Sequence, residues 1–160
     1  MKKVLMAMAL SAALVATPAS AQPYAGAGIG NSKADASKTS YKLFIGLHYS
    51  QNLGYEVAYN NFAGYPGARA DSWSLAAIGS LPLDNSWDIL GKLGVTENHT
   101  KFVDSSRHLD LLVGIGIGYN VTKDIGVRLE YEDFGRIPSA PNTVSATVTN
   151  WGINVKISFR

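Results

Sequence analysis

Residues Ile125–Phe134 alternate without a break: Ile125, Val127, Leu129 and Tyr131 on one parity, Gly126, Arg128, Glu130 and Glu132 on the other. Successive side chains of a strand point to opposite faces, so this segment has a greasy face and a wet one. LDLLVGIGIGY and NWGINVKISF repeat the pattern with glycine, amide or charge on the second face. Eight such segments are expected, at Pro23–Gly30, Tyr41–Ser50, Gly54–Phe62, Asp71–Leu81, Trp87–Glu97, His108–Asn120, Ile125–Phe134 and Thr147–Phe159. None carries a helical period over a helix-length window.

The expected connections alternate in length. Asn31–Ser40, Ala63–Ala70, Asn98–Arg107 and Gly135–Ala146 are long, whereas Gln51–Leu53, Pro82–Ser86 and Val121–Asp124 are short. Tight turns at one end and longer loops at the other are the rhythm of a bacterial outer-membrane barrel. Most segments also match the 9–11 residues or so that a tilted membrane strand needs, and exceed the five or six common in soluble sheets. The expected fold is therefore all-β, an eight-stranded antiparallel up-and-down transmembrane barrel with both termini at the periplasmic end.

Parity assigns the two surfaces. Lipid should touch Leu43, Ile45, Val57, Leu75, Leu93, Leu111, Ile115, Leu129, Ile153 and their same-face neighbours. Tyr49, Tyr55, Trp87, Tyr119 and Phe159 form a girdle at the turn end, and Tyr41, Tyr59, Trp73 and Tyr131 one at the loop end. The inward set is Lys42, His48, Glu56, Asp88, Lys92, Asp110, Arg128, Glu130, Glu132, Asn154 and Lys156, in which acids and bases nearly balance. Ionised groups in such an interior must pair, so they predict a salt-bridged plug with trapped water. An eight-stranded barrel is narrow enough for side chains to fill it. The inverted reading, a ligand-binding barrel with its apolar face inside, conflicts with the strand lengths, the turn rhythm and the aromatic ends.

The N-terminus adds a compartment. Lys2 and Lys3, the apolar run Val4–Ala16 and Ala19-Ser20-Ala21 form a secretory signal expected to be cleaved after Ala21, leaving residues 22–160 as one barrel domain. Loss of those two lysines leaves Lys+Arg equal to Asp+Glu, so the basic whole-chain balance is a property of the leader. No basic patch points to nucleic acid. With no cysteine, neither disulfides nor thiolate metal sites are expected. No cofactor is expected either.

Two motifs have both a chemical and a structural reading. Gly26, Gly28, Gly30, Gly114, Gly116 and Gly118 fall on the inward parity and make room for large neighbours; no helix follows to present its N-terminus to a phosphate. His48-Tyr49-Ser50 resembles part of the lipid A deacylase barrels, and a His near a Ser hydroxyl can act as a general base. Parity turns both inward at the periplasmic end, away from an outer-leaflet substrate, and Gln51 departs from the Asn expected next. The chain is therefore expected not to be an enzyme.

Ala25–Gly30, Asn52–Phe62, Asp88–Val95, Gly126–Gly135 and the last strand together resemble the OmpA-like family of small outer-membrane barrels. The resemblance covers the barrel and not the family's periplasmic peptidoglycan-binding domain. It implies a luminal polar network, with Glu56, Lys92, Arg128 and Glu130 at the matching positions. It also implies that the last strand is read by the outer-membrane assembly machinery, although Phe159 is followed by Arg160. The expected function is structural or surface-interacting in a Gram-negative outer membrane with a largely closed lumen; the alternatives are a porin-like, small-solute-conducting barrel and, behind it, a lipid A-modifying barrel enzyme. Expected partners are outer-membrane lipids, lipopolysaccharide met by Lys33, Lys38, Arg69, Lys101, Arg107 and Arg136, and host or surface ligands at the loops.

Overall fold

The structure is a computed structural model that describes residues 21–33, 37–65, 68–101, 105–137 and 146–159. The expected leader, residues 1–21, lies outside them but for Ala21. Eight strands follow one another: β1 (Gln22–Lys33), β2 (Ser37–His48), β3 (Leu53–Tyr65), β4 (Ala68–Pro82), β5 (Trp87–Lys101), β6 (Ser105–Asn120), β7 (Ile125–Ile137) and β8 (Ala146–Ser158). Each pairs antiparallel with the next, and β8 returns to β1, with Gly28 opposite Asn154. Closure leaves the membrane-spanning part of each strand paired on both sides, while β6 pairs with β7 only over Val113–Asn120.

Parity holds around the whole wall. Leu43, Leu75, Leu93, Leu111, Ile115, Leu129 and Ile153 are exposed, while Lys42, Glu56, Lys92, Arg128, Glu130 and Asn154 are buried. On the outer face, Trp87 packs on Tyr119 with ring centroids 4.7 Å apart at the turn end, and Tyr59 on Trp73 at 5.1 Å toward the loop end. Both are register partners across neighbouring strands. An apolar belt between two aromatic girdles is the outer surface that a bilayer solvates.

The described parts of the expected long loops are strand. Asn31–Lys33 still pairs with Ser37–Thr39, Asp71 with His99, and His99 with Arg107. Polar, glycine-containing composition reads as loop, but the neighbouring strand of the wall offers these residues ladder partners, which outweighs weak strand propensity. Two irregularities interrupt the ladders, between Phe62 and Tyr65 on β3 and between Asp133 and Arg136 on β7. At the second, Gly135 adopts φ +70° and donates its N–H to Asp133 Oδ1 at 2.8 Å, a left-handed bulge position that suits glycine.

The three opposite turns share one design. Ser50 Oγ accepts from Leu53 N–H at 3.1 Å, Asp84 Oδ1 from Trp87 N–H at 2.8 Å, and Thr122 Oγ1 from Ile125 N–H at 2.9 Å. In each case a short polar side chain ties down the first amide of the incoming strand.

Candidate functional site: the barrel lumen

Inside the wall the side chains sort into layers. Lys42, Glu56, Lys92, Arg128, Glu130 and Glu132 form an ionic layer, each side chain at most 5% exposed. Toward the loop ends lies an apolar cluster of Phe62, Ala76, Leu112, Phe134 and Val148, with the Phe62 and Phe134 rings 5.2 Å apart. Toward the turn ends lies a second cluster of Tyr24, Phe44 and Ala58. The small inward residues make this filling fit. A Cβ on Gly46 would collide with the Tyr24 ring, on Gly26 with the Phe44 ring, and on Gly28 with the Asn154 amide. Those glycines are packing positions.

Each lysine of the ionic layer meets three carboxylates, matching its three donors. Lys92 Nζ lies 2.7 Å from Glu56 Oε1, 2.8 Å from Glu130 Oε2 and 3.1 Å from Glu132 Oε1. Lys42 Nζ lies 2.6 Å from Glu132 Oε1, 2.9 Å from Glu130 Oε2 and 3.5 Å from Glu56 Oε1. Arg128 Nη1 donates to Glu56 Oε2 at 3.1 Å and stands 3.7 Å from Glu130 Oε1. Tyr24 Oη adds a hydrogen bond to Glu56 at 3.2 Å, and Asn154 Nδ2 one to Glu130 at 2.9 Å. Three cations face three anions, so the layer is neutral as a unit.

The Arg128 guanidinium also sits over the Tyr24 ring, 5.1 Å from its centroid. The carboxylates of Glu56, Glu130 and Glu132 lie within 4.8 Å of one another, a donor set of the type that holds a cation. Here the Lys42 and Lys92 ammonium groups stand among those oxygens and supply the positive charge themselves.

All four residues expected from the family resemblance, Glu56, Lys92, Arg128 and Glu130, come together in this layer. Lys42 and Glu132 complete it from the wider inward set. Tyr24, Phe44, Phe62, Leu90, Leu112 and Phe134 were not anticipated inside. They share the parity of Gly26, Lys42, Asn60, Lys92, Gly114 and Glu132 on their own strands, and that is the signal that could have found them.

The His48-Tyr49-Ser50 motif is pulled apart. His48 is half-buried with its ring 4.7 Å from Tyr24, whereas Ser50 is exposed and its hydroxyl serves the turn. The inward placement expected for Ser50 is thus corrected, because the strand ends at His48 and parity lapses in the turn. His99 is on the outer face, 3.9 Å from Asp71 and 4.0 Å from Glu97. The side chains of His108, Arg69, Lys101, Arg107 and Arg136 lie outside those described, while Lys33 and Lys38 stand at the loop ends of β1 and β2.

The chain is 27% identical to outer membrane protein A of Serratia marcescens over its full length, and it spans 56% of that protein's length. Among solved structures it is similar in fold to Neisserial surface protein A, with a TM-score of 0.64, 17% identity and coverage of 87% of this chain and 97% of that one. It is also similar in fold to the outer membrane enzyme PagL, with a TM-score of 0.58, 13% identity and coverage of 84% and 98%. The same barrel thus carries catalysis in one relative, and the fold alone does not assign it. The family described as "Outer membrane protein beta-barrel domain" matches residues 4–159. The chain belongs to that family of OmpA-like outer-membrane β-barrels.

Proposed function

We propose that this outer-membrane barrel is a non-catalytic, non-conducting scaffold with a structural and surface-interaction role. The observation that carries the reading is the ionic layer. Its six side chains, drawn from β2, β3, β5 and β7, meet across the lumen at hydrogen-bond distances with apolar clusters on either side. A solute would have to break several buried ion pairs at once, each costly because a parted charge keeps its desolvation penalty without its partner. The barrel's interaction surfaces are then its loop end, where recognition can vary on a rigid support, and the last strand, offered to the assembly machinery. Lipopolysaccharide at the loop-end lysines and surface ligands beyond it are the proposed partners. The name of the similar Neisserial surface protein agrees with such a role.

Planar-bilayer recording tests the closed lumen. The reconstituted wild-type barrel should give no stable single-channel steps, whereas Arg128→Ala, which leaves Glu56 short of a partner, should raise leakage. Large, stable steps in the wild type would sink the proposal.

A further inference from the structure

We infer that the lumen has a binding site for a structural water shared by Asn60 on β3 and Ser72 on β4, beside the ionic layer. The two residues are register partners and both face inward, Asn60 1% exposed and Ser72 fully buried. Cross-strand partners stand about 5 Å apart at Cβ, close enough to hold one small molecule between them. Asn60 Oδ1, Asn60 Nδ2 and Ser72 Oγ are all buried without a hydrogen-bond partner among the described residues. The other such atoms stand singly, on His48, Asp110 and Glu130. A buried amide with neither end paired, next to a buried hydroxyl in the same condition, is costly, and folded proteins meet such groups with ordered water.

The flanking polar groups are committed elsewhere. Lys42, the β2 partner of Asn60, turns its ammonium to three carboxylates. Asn98, the β5 partner of Ser72, donates to the Phe134 carbonyl and accepts from Thr96 Oγ1. The next inward row toward the turn end is Ala58, Ser74 and Thr96, short side chains that leave room beside the pair. Toward the loop end stand the Phe62 and Phe134 rings. The unpaired atoms comprise one acceptor, one donor group and a hydroxyl that serves as either. A cation would need acceptors alone and would face the Lys42 ammonium. An anion would need donors alone and would face the carboxylates of the ionic layer. Water takes both roles, and three polar partners are what an enclosed water ordinarily finds. The inference stands on these unpaired atoms and is independent of whether the lumen conducts.

Two measurements on the barrel purified from outer membranes test it. A high-resolution crystal structure should show a water within about 3.2 Å of both Ser72 Oγ and an Asn60 side-chain atom. Urea unfolding in lipid vesicles reads the energetics, with heat-modifiable migration on detergent gels reporting that each variant is folded. Ser72→Ala removes one of the water's partners and should raise the unfolding equilibrium constant about 2- to 10-fold, the worth of a typical hydrogen bond. Made in an Asn60→Leu background, where the shared water has already lost its other partner, the same change should have little effect. A direct Asn60–Ser72 hydrogen bond with no water between, or an ion in that place, would overturn the inference. So would a Ser72→Ala barrel as stable as wild type or more so, or an equal Ser72→Ala effect in the two backgrounds.

Discussion

Glu130 meets four partners in the lumen, as Glu56 does. Lys42, Lys92 and Asn154 all reach its Oε2 within 2.9 Å, and Arg128 stands 3.7 Å from its Oε1. Glu130→Ala leaves those cations buried with two carboxylates between them. Truncating one member of a buried ion cluster costs about 3–5 kcal/mol, because the stranded charge keeps its desolvation penalty. Urea unfolding of the barrel in lipid vesicles should show that loss, and Glu130→Gln, which keeps the volume and the hydrogen-bonding groups, should show less. A Glu130→Ala barrel as stable as wild type would mean the layer is not a coupled unit. Parity alone placed Glu130 inside, because its neighbours Leu129 and Tyr131 must face lipid. That Lys42 would reach it could not be read, since the two are 88 residues apart and meet only through the lumen.

Strands and turns carry their own consequences. Gly135 sits at φ +70° in the β7 bulge, with the Asp110 side chain close to where a Cβ would be. Gly135→Ala should destabilise the barrel by about 1–3 kcal/mol, combining left-handed strain with crowding, as a shift in the urea midpoint would report. The turn before β5 gives a pH signature. Asp84 accepts N–H bonds from Ser86 and Trp87, which hold its carboxyl below the usual range.

A depressed carboxyl pKa stabilises the fold above the unfolded-state value, and that contribution fades as pH falls through the depressed one. Wild type should therefore exceed Asp84→Ala in unfolding midpoint at neutral pH, and the gap should close in acid. A gap constant with pH would assign the effect to something other than the carboxylate. The turn residues were legible as turns from their composition. The strand extensions were not, because Asn31, Ser32 and Ser37 look like loop until a closed wall supplies their partners.

For the barrel as a body, the three tryptophans are a ready probe. Trp87 belongs to the turn-end girdle, while Trp73 and Trp151 lie toward the loop end, and all three face outward. In vesicles their fluorescence should be quenched more strongly by lipids labelled near the headgroup than by lipids labelled at the chain end. Strong quenching by a water-soluble agent, with none from the labelled lipids, would contradict the membrane-facing belt.

The alternation, taken with strand length, turn rhythm and the aromatic ends, was sufficient for the architecture. A period of two, repeated eight times with aromatic ends, admits one solvent for each face, and the face bearing Leu129 cannot be the one bearing Arg128. What alternation could not contain is the cross-lumen geometry. Strand tilt and stagger on closure decide which inward residue of β2 stands level with which of β7. They bring Lys42 and Lys92 into one carboxylate cage, set Phe62 against Phe134 above it and Tyr24 against Phe44 below. Those contacts join positions tens of residues apart with no local pattern linking them, so they exist only once the last strand has paired with the first.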